Sequence, residues 1–212
     1  MGYMIAAEHI QKKYGGKTIL QDTNIHVKQG AIYGLVGKNG SGKTTLLRIL
    51  AGLINDYGGR VTVGKSGNRK GNVAAVIKDP SLFLNMSAVS NMKEQACLLG
   101  IHDYARIEQV LRLVGLGNCN SKPVKTFSLG MTQRLKLGMT LLEQPDILIL
   151  DEPTNGLDPD GIAELRELLF DMNRSDGTTI IISSHILSEL EHIATCFGIL
   201  HDGKIVKEAD ID

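Results

Sequence analysis

The 212-residue sequence has only three cysteines, Cys97, Cys119 and Cys196, far apart and odd in number. That excludes a disulfide framework and the close spacing of a metal or redox motif, and it reads as reduced thiols in a cytosolic protein. Charge of neither sign dominates: 23 Lys and Arg balance 23 Asp and Glu. The basic excess usual in a dedicated nucleic-acid binder is therefore missing. No apolar run approaches the ~20 residues of a spanning helix, and the longest candidate, Ile147 to Leu150, is strand-sized. The N-terminus has no basic segment leading into an apolar stretch, so it does not read as a secretory signal. Internal repeats, low-complexity segments and Pro/Ser-rich linkers are also lacking. If the protein serves a membrane, another chain supplies the membrane part.

The length and ordinary apolar content suit one domain with a substantial core and leave room for two lobes. Residues 5–10 and 23–27 read as strands around a Tyr14-Gly15-Gly16-Lys17 turn, and 31–36 as a strand buried on both faces. A helix is predicted over 44–53, strands over 59–63 and 73–77, and helices over 87–99, 104–114 and 130–142. Then come a buried strand at 147–150, an amphipathic helix at 159–174, a strand at 178–183, a helix at 186–193 and a hairpin over 197–206 around Asp202-Gly203. Strands alternating with helices predict an α/β fold with a mainly parallel central sheet. The helical middle, residues 80–140, reads as an inserted lobe.

Between the strand at 31–36 and the helix at 44–53 lies Gly37-Lys38-Asn39-Gly40-Ser41-Gly42-Lys43-Thr44. Glycines let the backbone bend so that successive amides surround phosphates, and the following helix points its positive end at the same anions. Lys43 is placed to reach the β- and γ-phosphates and Thr44 to hold Mg²⁺; Thr45 completes the nucleotide-binding set. A phosphate loop needs an acid on a buried strand, and Ile147 to Leu150 leads into Asp151 and Glu152. Asp151, at the strand's carboxyl end, suits the metal, and Glu152 suits polarising an attacking water. The pattern predicts ATP binding and hydrolysis.

In this setting the chain resembles the ATP-binding-cassette (ABC) family over essentially its whole length, which implies a P-loop core, an N-terminal antiparallel β subdomain and the helical lobe. Pro153-Thr154-Asn155-Gly156-Leu157-Asp158-Pro159 resembles the family's D-loop, with Asp158 its acid. Ser183-Ser184-His185 resembles the switch, where His185 would contact the γ-phosphate and help position the water. Tyr14 falls where the family stacks an aromatic on adenine. Phe127-Ser128-Leu129-Gly130-Met131-Thr132-Gln133-Arg134 is similar to the signature in a variant form. Ser128 and Gly130 supply a hydroxyl and an amide at a helix N-terminus, equally good chemistry for an ordinary N-cap; only the neighbouring motifs select nucleotide binding. The family completes each ATP site with another subunit's signature, which implies a homodimeric or heterodimeric partner.

One position departs from the family: Lys78, beside Asp79, stands at or next to the usual Gln. A protonated ammonium has no lone pair to offer Mg²⁺, so either Asp79 takes the metal-side role, Lys78 meets phosphate directly, or the position only couples the lobes; the last is favoured because Lys43 already provides phosphate-side charge. The stretch Ile77 to Pro80, residues 81–91 and the signature resemble exporter cassettes of lantibiotic immunity and bacitracin-type resistance. This implies an ATPase on the cytoplasmic face of the membrane, docked on integral permease subunits through residues 82–92, where Leu82, Phe83, Leu84 and Met86 look exposed. A cassette acting on nucleic acid or ribosomes is the alternative, disfavoured by the single cassette and the missing basic tract. A P-loop kinase would leave the signature, D-loop and switch unexplained.

Overall fold

The computed structural model describes residues 2–64, 71–77, 82–119 and 121–211. Lys78 and Asp79 lie outside the described residues. The chain opens with a long antiparallel hairpin, β1 (Tyr3–Tyr14) and β2 (Lys17–Lys28), turned by Gly15 and Gly16 at positive φ. β1 is twice its predicted length and β2 more than twice. His9 and Asp22 sit at φ of 55° and 56° and the register shifts there, so bulges break the alternation that sequence patterning relies on. Next come β3 (Ile32–Val36), buried throughout, and α1 (Lys43–Leu50). β4 (Gly58–Val63) returns to pair antiparallel with β1, giving a three-stranded sheet in the order β2-β1-β4.

Among the described residues β5 (Val73–Val76) is followed by α2 (Ala88–Leu98), α3 (Ala105–Leu113), a 3₁₀ turn (Val124–Thr126) and α4 (Leu129–Leu141). Then follow β6 (Ile147–Asp151), α5 (Pro159–Asp176), β7 (Thr179–Ser184), α6 (Leu187–Glu191), β8 (Cys196–His201) and β9 (Lys204–Asp210). The second sheet runs β5-β6-β7-β3-β8-β9; its first five strands are parallel and β9 closes it antiparallel. The predicted fold class thus holds: α/β with a mainly parallel sheet and an antiparallel β subdomain.

The chain divides into two compact units: residues 1–77, 146–153 and 169–212, and residues 78–145 with 154–168. In the first, Leu46, Leu47, Ile49 and Leu50 of α1 share one core with Ile5, Ile10, Leu20 and Ile25 of the antiparallel sheet and Ile147, Ile149 and Ile181 of the parallel one. α1 is therefore held between two apolar sheet faces, which fixes where its N-terminus points. A Cβ at Gly34 would stand 3.2 Å from Leu190 and Ala194, so the short α6 region lies directly on β3. In the second unit α2, α3 and α4 bury Met92, Val110, Leu111, Leu135 and Leu141. Gly138 of α4 faces Val110 and Val114 of α3 at 3.4 Å from an added Cβ, a close helix approach. This unit reaches beyond the predicted 80–140 lobe, because Thr154–Leu168 groups with it.

Candidate functional site

The loop leaving β3 is shaped by close approaches. Gly37 donates to the Ser184 carbonyl at 3.2 Å, and a Cβ on it would stand 2.5 Å from the Leu200 carbonyl oxygen and 2.6 Å from Ser41 Oγ. Gly40 and Gly42 take φ of 82° and 108°, left-handed conformations natural to glycine. Ser41 donates its amide to Lys38 at 3.1 Å, tightening the turn, while its buried Oγ has no partner among the described residues. The first helical bond runs from Leu46 N–H to the Gly42 carbonyl at 2.9 Å. Among the described residues, the amides of Lys43, Thr44 and Thr45 therefore have no backbone acceptor. Unpaired first-turn donors at the positive end of a helix form an anion site.

The acids arrive on the neighbouring strand. Asp151 accepts from Thr44 Oγ1 at 2.6 Å on one carboxylate oxygen and from Ser183 Oγ at 2.6 Å on the other. Ser183 Oγ also accepts the Glu152 amide at 2.9 Å, in keeping with the parallel register that sets Asp151 against Ser183. Glu152 has φ of 51°, left-handed for a residue with a side chain and costing of the order of 1–3 kcal/mol. Its Oε2 accepts from His185 Nδ1 at 2.8 Å, and its Oε1 lies 3.1 Å from the Lys43 ammonium. That second contact is an ion pair. Burial pushes the Glu152 carboxyl up, but the His185 hydrogen bond and the Lys43 charge outweigh it and hold it below its ordinary range. Lys43, buried, also donates to the Gly37 carbonyl at 2.6 Å and to Lys38 at 3.3 Å.

These groups border an open cleft of about 340 Å³ lined by Asn39, Gly40, Gly42, Lys43, Thr44, Thr45 and Glu152. Lys17 and Ile19 of β2 complete the wall, and sequence patterning gave no sign of either. Lys38 is not among the lining residues and is exposed. Tyr14 does not line the cleft; it is half-exposed at the end of β1, with the Lys12 ammonium 4.9 Å over its ring.

Ser128, Gly130 and Asp158 form a different cleft within the second unit, of about 310 Å³, together with Leu129, Arg134, Gly156, Leu157 and Glu164. Ser128 caps α4 by accepting the Met131 amide at 3.2 Å, and Asp158 caps α5 by accepting the Gly161 amide at 2.9 Å. Two helix N-termini thus open on one cleft. Gly156 has φ of 77°, and an added Cβ would stand 2.7 Å from Leu129, so the 154–158 loop is moulded to the signature. Arg134 reaches Glu164 at 2.7 Å, a pairing invisible in the sequence.

Comparison with known proteins agrees with this arrangement. Residues 20–155 match the family described as ABC transporter. The lantibiotic transport ATP-binding protein SrtF of Streptococcus pyogenes is 44% identical over 212 residues, covering 99% of this chain and 92% of that protein. The bacitracin transport ATP-binding protein BcrA of Bacillus licheniformis is 42% identical over 218 residues, covering 100% of this chain and 71% of its own length. Among solved structures, CbiO1 of Clostridium perfringens, part of the ABC transporter complex CbiONQ, superposes with a TM-score of 0.86 at 26% identity over 99% of this chain and 89% of that one. A glycine loop with free helix-end amides, a Thr44–Asp151 pair and a signature cleft, found with these likenesses, have one reading: the chain belongs to the ABC transporter family, as an ATP-binding and ATP-hydrolysing subunit.

Proposed function

We propose that this chain is the motor subunit of an exporter for a peptide antibiotic or similar amphiphile. It hydrolyses ATP with Mg²⁺ while docked on separate integral membrane permease subunits at the cytoplasmic face. The observation that carries the reading is the bonded chain Thr44–Asp151–Ser183–Glu152–His185, which ties the phosphate loop to the two residues read as catalytic. The exporter branch rests on the likeness to SrtF and BcrA. No helix among the described residues is long and apolar enough to cross a membrane, which agrees with a separate permease.

The free amides of Lys43, Thr44 and Thr45, with those of Gly40 and Gly42, suit the phosphates, and the Lys43 ammonium can leave the loop carbonyls for a phosphate oxygen. Thr44 Oγ1 and the Asp151 carboxylate are two hard oxygens 2.6 Å apart, the donor type Mg²⁺ selects when phosphates fill its other positions. Mg²⁺ bound there supplies neutralisation of phosphate charge. Glu152, kept ionised by its neighbours, accepts the proton of the attacking water, and His185 fixes its orientation. Tyr14 offers its ring to adenine.

Ser128, Gly130 and Asp158 serve the nucleotide of a second ATP-binding subunit, identical or related. Phe83 and Leu84, 54% and 56% exposed, are the apolar side chains offered to a permease, with Leu82 and Met86 partly buried beside them. The Lys78 position would couple the lobes, and no nucleic-acid partner is expected. Purification from membranes tests the assignment: the tagged chain should bring down a polytopic membrane protein and hydrolyse ATP only with Mg²⁺. Tight, salt-sensitive RNA binding in its place would overturn it.

A further inference from the structure

Among the described residues the signature cleft contains one ionic contact, and its surroundings give it a task. Arg134 follows Gly130 by four residues, so both lie on one face of α4; Glu164 follows Asp160 by four on α5, facing the same cleft. Arg134 Nη1 meets Glu164 Oε2 at 2.7 Å. Behind it, Gly115 ends α3 at φ of 69°, and a Cβ there would stand 3.1 Å from Arg134 Nη1. The guanidinium is therefore seated against the carbonyl end of α3, which favours a cation, while its front holds α5. Its buried Nε has no partner among the described residues, so Glu164 is the principal contact answering its charge. Arg134 is thus pinned to three helices, and two of them present Ser128 and Asp158 at their N-termini.

We infer that Arg134 and Glu164 are positioning residues: their ion pair sets the spacing between the signature (Ser128, Gly130) and the D-loop acid Asp158, so that both meet the second subunit's nucleotide together. The contact of Gly156 with Leu129 is the apolar counterpart at the cleft mouth. The inference rests on the proposed role of the signature, and the P-loop plays no part in it.

The test measures ATPase kcat and KM, ATP binding and thermal melting in the full chain. The variants are Arg134→Met, Arg134→Lys, Glu164→Gln and the exchange Arg134→Glu/Glu164→Arg, with Ser128→Ala as a separate control. Arg134→Met should lower kcat by roughly tenfold, leave ATP binding by the single subunit within about twofold, and be partly rescued by Arg134→Lys. Glu164→Gln should reproduce that fall, and the exchange should recover more activity than the product of the two single losses. Equal loss of ATP binding and turnover, a fall that merely follows the melting temperature, or strict additivity in the exchange would overturn the inference. Unchanged activity in Ser128→Ala would instead overturn the signature's proposed role, a failure distinguishable from the first.

Discussion

The two clefts are built by opposite means. The cleft at Gly37–Thr45 is built from backbone and buried charge: left-handed glycines, first-turn amides, and Lys43 locked between carbonyls and Glu152. The cleft at Ser128–Glu164 is built from two helix caps, with exposed Ser128 and Asp158 and one ion pair behind them. The first is preorganised: its charged side chains are already paired, while among the described residues its first-turn amides stand without a backbone acceptor and are open to an anion. The second exposes the carboxylates of Asp158 and Asp160 beside its ion pair and suits a surface that acts when something is brought to it.

Four substitutions and one titration would break or sharpen this contrast. The largest effect is expected at Glu152→Gln, which removes the proposed proton acceptor but keeps the shape. Turnover should fall by about 10²–10⁴-fold while ATP binding persists, read by single-turnover hydrolysis and equilibrium binding. Loss of Ser128 should cost turnover far less, about tenfold, since one neutral donor is removed.

Glycine tolerance should differ in the same direction. Gly37→Ala drives a methyl to 2.5 Å from a backbone oxygen and should lower stability by roughly 1–3 kcal/mol. Gly130→Ala meets nothing nearer than 3.7 Å, inside a helix that prefers alanine, and should leave the melting temperature unchanged or slightly raised. Equal melting of the two variants would remove the distinction between a rigid cleft and an open one.

The smallest effect is the pH dependence. Because the folded Glu152 carboxyl titrates below its ordinary value of 4.5, its ionised form stabilises the fold fully above that value. That contribution is lost as pH falls through the lowered value. The stability gap between wild type and Glu152→Gln should therefore shrink on acidification, measured by denaturant unfolding from neutral pH downward. A gap independent of pH would mean that Lys43 and His185 do not hold the carboxylate.

Much of this was legible in the sequence because its signals were local. Gly37 to Thr44 between a buried strand and a helix, and Ile147 to Leu150 leading into Asp151, fix their geometry within a few residues, and the structure sets Thr44 against Asp151. What was hidden depends on register and on distant chain. Ser183 bonds Asp151 only because β7 pairs with β6 in one register. Lys17 and Ile19 line the nucleotide cleft because β2 extends past its predicted start, beyond bulges at His9 and Asp22. Arg134 and Glu164 lie thirty positions apart in chain order on helices whose pairing no periodicity encodes. Thr154–Leu168 joined the helical unit because it packs with the signature, whereas its sequence reads as a simple continuation of the parallel core.

Complementation tests the central claim, that each nucleotide site is finished by a second subunit, most directly. Lys43→Ala disables the phosphate loop and Ser128→Ala the signature, yet a mixed pair retains one intact loop facing one intact signature. Equimolar mixing should restore ATPase activity well above the mean of the two separate variants. Activity equal to that mean, at concentrations where the subunits associate, would contradict the account.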